Sequence, residues 1–181
     1  AHYLAMNNRL PENALSEELL LLVNSRGETV AHLLAYRGTL PKDRMTKRIL
    51  AAETSGTPDK TVAMSLFRFA YSRNDWAALH PEIFETDNSF QTKYCCDRIT
   101  HRLTAFDKNR RAEALSGMPS ETLRVLLHLT GKDTLRHDIG LELDSRTLRE
   151  LGTGALFSDS PEIETGGADM DEIYCYGAER S

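Results

Sequence analysis

The chain has 181 residues, 40% hydrophobic and 27% charged, with a formal net charge of −5. No apolar run approaches the roughly 18 residues of a membrane span, and an acidic balance argues against a polyanion-binding surface, so neither a membrane protein over this length nor a dedicated nucleic-acid binder is expected. The charge is unevenly spread: residues 157–181 hold seven acids against Arg180 alone, leaving 21 basic and 20 acidic residues in the remainder.

From the first residue the chain repeats itself. Ala1-His2 returns as Ala31-His32, and the register comes back as Ala63-Met64 and Cys95-Cys96. A period of about thirty residues predicts stacked supersecondary units, each burying its apolar face only against its neighbours. Unit starts fall near 1, 31, 63, 95 and 124; Ala1 lies inside the first unit, so preceding sequence is expected.

The clearest unit runs from Gly27 to Leu50. Gly27 permits a tight turn, Thr29 can cap a helix, and Val30, His32, Leu34 and Ala35 form an inward stripe ended by Gly38. Pro41 suits the first turn of a second helix, in which Met45, Ile49 and Leu50 recur on one side and Lys42, Asp43, Lys47 and Arg48 on the other. The next stretch, with Gly56 and Pro58, reads as a loop before Thr61-Val62-Ala63 restarts the cycle.

Gly27-Glu28-Thr29-Val30-Ala31-His32-Leu33-Leu34-Ala35-Tyr36-Arg37-Gly38 resembles the G-x-T-P-L-H-x-A-A-x-x-G core of ankyrin repeats. The resemblance implies a mostly α fold: an ankyrin-like helical-repeat solenoid of four to five degenerate helix-turn-helix units over 1–131. It also implies that His2 and His32 are structural locks of a turn. The sequence departs from the family where its Pro is Val30 and its His becomes Met64 and Cys96. Further on, Ser120 to Gly131 is laid over the same core as a fifth unit, and 132–156 reads as one or two short helices forming a C-terminal cap. Residues 157–181 lack periodicity and have the composition of an acidic flexible tail, with Ile173 to Tyr176 its one apolar cluster.

Catalytic patterns are sparse. The six histidines show no HxxxH or HExxH spacing, no phosphate-binding glycine loop occurs, and three cysteines without CxxC suggest a reducing, cytoplasmic or other intracellular setting. No catalytic residue, metal site or cofactor is therefore assigned. Cys96 with His101 is the one local Cys/His pair, and it keeps open a small enzyme or transferase. Basic stretches at Lys42 to Arg48 and Lys108 to Arg111 keep open a nucleic-acid-associated regulator.

The leading reading is a non-catalytic protein-recognition module acting as adaptor, inhibitor or targeting element. The resemblance places its partner site on the concave face and turn tips. That register selects Tyr3 and Met6, then Leu33, Tyr36 and Arg37, then Arg68 and Phe69, then Thr100 and His101, with Arg26 at a tip. Aromatic residues and Arg dominate binding hot spots because they join large buried area to directional polar contact. The charge split adds a contact within the chain, tail 157–181 against Arg26, Arg37 and Arg68.

Overall fold

The computed structural model describes residues 1–158 except 8, 55 and 56. The expected tail lies, from residue 159 onward, outside the described residues. The fold is mostly helical. In chain order come α1 (His2–Met6), α2 (Glu17–Leu20), α3 (Val30–Tyr36), α4 (Lys47–Leu50), strands β1 (Glu53–Thr54) and β2 (Thr57–Thr61), then α5 (Val62–Arg73), α6 (Ser89–Ala105), α7 (Lys108–Gly117), α8 (Ser120–Leu129) and α9 (Asp133–Ser158). Short 3-10 turns connect several of them. No helix among the described residues is long and apolar enough to cross a membrane.

One local arrangement recurs through the first half. Leu-Pro after α1 and after α3 leads into 3-10 turns at Glu12–Ala14 and Lys42–Arg44. The side chains of Ser16 and Thr46 then accept the backbone N–H of Leu19 and Ile49, each capping a four-residue helix. Leu15 and Leu20 in the first copy, and Met45 and Leu50 in the second, are buried. A third copy follows 34 residues on. Asp75 caps the turn Trp76–Ala78, Leu79 and Phe84 take the buried positions, and a 3-10 turn at Pro81–Phe84 stands in place of the short helix. The bond that closes the first turn is the same in all three: Ser16 N–H to Ala14, Thr46 N–H to Arg44 and His80 N–H to Ala78.

The long-helix starts are also alike. Thr29, Thr61 and Asn88 cap α3, α5 and α6 with side-chain oxygens that accept from the third residue of each helix, His32, Met64 and Gln91. At its other end, α3 closes with Gly38 at φ 67°. The Gly38 and Thr39 amides donate to the carbonyls of Ala35 and Leu34, a Schellman closure that needs a left-handed residue at 38. Gly38 is required for a second reason: a Cβ there would overlap the Phe69 ring of α5.

The second half is built of longer helices. Cys95, Cys96, Ile99 and Leu103 form the buried stripe of α6, Leu123 and Leu126 that of α8, and Leu135 and Ile139 that of α9. Thr122, fully buried in α8, donates its hydroxyl to the Leu79 carbonyl and so ties this half to the third 3-10 turn. Arg111 pairs with Asp138 at 2.8 Å. Arg146 of α9 reaches across to the turn between α7 and α8, donating to the carbonyls of Leu115, Ser116 and Met118 and to the Ser120 hydroxyl while pairing with Glu142.

Four expectations need correction. Residues 133–158 form one 26-residue helix rather than one or two short ones, because Leu135 and Ile139 anchor its first turns and Arg146 holds its middle. The stretch 53–61 is a strand pair, Glu53 opposite Thr61, rather than a plain loop. The second helix expected over 42–50 is a 3-10 turn followed by four helical residues. Cys95 does not begin a unit: α6 starts at Ser89, so Cys95 and Cys96 lie two turns inside it.

Candidate recognition surface

A polar seam positions the first helices. His32 is fully buried, and its Nε2–H donates to the Lys60 carbonyl at 2.9 Å. That leaves Nδ1 as acceptor for the Thr29 hydroxyl at 2.7 Å and for the Thr29 amide at 3.2 Å. Burial holds the His32 pKa below its ordinary value, with the Lys60 carbonyl and the Glu28 charge pulling the other way. Lys60 precedes Thr61, whose hydroxyl in turn donates to Gln91 Oε1 at 2.8 Å. His32 and Gln91 therefore both join the start of one helix to the start of another. His2 makes a similar bond, Nε2 to the Leu22 carbonyl at 2.8 Å.

Outside this seam the predicted surface residues divide. Tyr3 is 73% exposed, Met6 50% and Tyr36 38%, and α1, α3 and α5 pack in succession, so these residues recur along one run of helices. Arg26, Arg37 and Arg68 are exposed and pair with no carboxylate among the described residues. Leu33 is half-buried. Phe69 is half-buried as well, its ring seated on Gly38 and covered by the Arg73 guanidinium 4.0 Å from its centroid. Phe69 thus spends much of its surface inside the protein.

Thr100 and His101 fall in the second half of α6. Thr100 is half-buried, with its hydroxyl on Thr130 at 3.3 Å, and His101 is exposed. Other side chains meet Arg68. A groove between α5 and α6, about 240 Å³, is lined by Met64, Arg68, Asn88, Phe90, Gln91 and Tyr94. Phe90 is 74% exposed and Tyr94 42%. The 32-residue step from Met64 to Cys96 leaves both out of register, because the step from Thr61 to its counterpart Asn88 is 27 residues. The signal that locates the start of α6 is Asn88, a capping residue type ahead of an amphipathic run.

Cys96 is 1% exposed and Cys95 fully buried. Both thiols are pushed up to about 12, chiefly by burial; at Cys95 the neighbouring Cys96 adds to the rise and Arg68 opposes it, and at Cys96 Asp97 adds to it. Both stay protonated at neutral pH, the unreactive form. Iodoacetamide at pH 7.5 is accordingly expected to leave Cys95 and Cys96 unmodified until denaturant is added. Peptide mass spectrometry reads this directly, and native modification of Cys96 would contradict its burial. Among the described residues no three His, Cys, Asp or Glu side chains gather as a metal site. Compared with models of known families, with curated proteins and with solved structures, the chain matches none.

Proposed function

We propose that the chain is a non-catalytic protein-recognition module, a degenerate ankyrin-like helical repeat that captures a protein partner on successive first helices and at the Arg26 tip. The observation that carries this reading is the recurrence of one arrangement at offsets of 30 and 34 residues, the first of which sets exposed Met6 of α1 in register with exposed Tyr36 of α3, the two helices packing together. A repeated scaffold offers a surface longer than a single helix, and exposed Tyr, Met and Arg supply its contacts. Unpaired, buried Cys95 and Cys96 accord with an intracellular, reducing setting. The enzyme reading loses its support at Cys96, whose thiol is both covered and protonated.

Pull-down with quantitative mass spectrometry tests the proposal by comparing the wild type with Tyr36→Ala combined with Arg68→Ala. Hot-spot truncations cost about 2 kcal/mol or more, so enrichment of the true partner is expected to fall at least about tenfold while the far-ultraviolet circular dichroism is unchanged. A partner profile identical for the two proteins would remove this face as the binding site.

A further inference from the structure

The α5–α6 groove has the chemistry of a peptide seat. Arg68 stands on one side with no carboxylate partner among the described residues, and the rings of Phe90 and Tyr94 stand on the other, exposed. Gln91, 3% exposed at its base, spends its Oε1 on Thr61 and keeps a buried Nε2 donor without an acceptor. The groove thus offers a guanidinium fork for a carboxylate, aromatic faces for apolar side chains, and an amide donor not yet satisfied.

We propose that this groove seats the chain's own segment Asp169-Met170-Asp171-Glu172-Ile173-Tyr174-Cys175-Tyr176. Its composition is the complement of the groove: three carboxylates followed by Ile and two Tyr. Charge favours this occupant over the rest of the chain, because residues 157–181 hold seven acids against one Arg while the remainder is close to neutral. The segment lies 11 to 18 residues beyond Ser158, so an extended linker supplies a contour of about 36–60 Å. Acids 169, 171 and 172 meet Arg68, and Ile173 and Tyr174 pack on Phe90 and Tyr94. The docked segment would cover Arg68, so it would compete with any acidic partner for the same cation. This docking stands independently of the partner reading above, since it requires no second protein.

Cys175 lies within the proposed segment and reports its accessibility. The experiment follows iodoacetamide alkylation of Cys175 in the full chain at pH 7.5 by peptide mass spectrometry. It compares wild type, Arg68→Glu, Phe90→Ser, and Arg68→Glu combined with Asp171→Lys and Glu172→Lys. Each single variant is expected to accelerate alkylation at least threefold, and the charge-swapped triple variant to return toward the wild-type rate. Loss of a neighbouring cation alone would raise the thiol pKa and slow the reaction, so acceleration reads release rather than altered thiol chemistry. Phe90→Ser leaves the charges untouched and alters a side chain that is mostly solvated, which keeps the test independent of Arg68. Equal rates in wild type and both single variants overturn the proposal. So does acceleration that the charge swap fails to reverse, and so does protection that grows with protein concentration, which would assign the groove to the tail of a second copy.

Discussion

Replacing Arg146 by Ala is expected to lower the stability of the protein by about 2–4 kcal/mol, the range for removing one partner of a largely buried, hydrogen-bonded charge. Two causes add. The carbonyls of Leu115 and Ser116 belong to the last turn of α7, where backbone acceptors lack partners within the helix and the negative end of its dipole gathers, and Arg146 supplies both hydrogen bonds and the positive charge. Glu142, 17% exposed, then loses the cation at 2.8 Å and is left, among the described residues, with Arg149 at 3.5 Å. The thermal midpoint should fall by about 5–15 °C for a domain of this size. Arg146→Lys is expected to recover less than half of the loss, because a point ammonium cannot reach three carbonyls, a hydroxyl and a carboxylate from one planar fork. Urea titration measures it. A midpoint within error of wild type would mean that the clamp contributes nothing net to folding.

His32→Ala should be of similar size, about 2–4 kcal/mol, since it opens a cavity at a fully buried position and strands the Lys60 carbonyl together with the Thr29 amide and hydroxyl. The same histidine gives stability a pH dependence whose sign follows from its burial. Burial places the folded pKa below the unfolded value of about 6.5, with the Lys60 carbonyl and the Glu28 charge opposing. Nδ1 also accepts from Thr29, so protonating it turns an acceptor into a donor aimed at donors. Between those two values the unfolded chain holds the extra proton, so stability is fully present above about pH 6.5 and is lost as pH falls toward the folded pKa. The slope has an upper limit of about 1.4 kcal/mol per pH unit for one group. His80 adds to the loss in the same direction, since burial lowers it first, Lys42 reinforces the shift, and Glu82 and Asp75 oppose it. Chemical denaturation of wild type and His32→Gln at pH 7.5 and 5.5 isolates the His32 share. An equal pH effect in both proteins would place the titration elsewhere.

The parts of this fold that could be read from sequence are those governed by short-range rules. Thr29, His32 and Gly38 announce a cap, a lock and a stop within one ten-residue window, and each sits as its chemistry requires. What could not be read is the spacing between windows. The 32-residue step from Thr61 would place the next cap at residue 93, but the third 3-10 turn, closed by Asp75 and Pro81, leads more quickly into Asn88. A local pattern carries no information about how many residues the intervening turn consumes, because that number is set by the packing of Leu79, Ile83 and Phe84 into the core. The same limit hid Phe90 and Tyr94 and gave Cys96 a register it does not have. Phe69 illustrates a different gap. Its helical position alone suggests a surface residue, and only the missing Cβ of a residue 31 positions earlier makes room for its ring.

That last contact binds positions 38 and 69 into a single evolutionary choice. A side chain cannot grow at 38 while the Phe69 ring occupies the space, and the left-handed backbone there disfavours L side chains in any case. Shrinking residue 69 must come first along any mutational path, and that step uncovers the helix end before any replacement can fill it. Diverging copies of this unit should therefore keep Gly and the aromatic ring together, or lose them together.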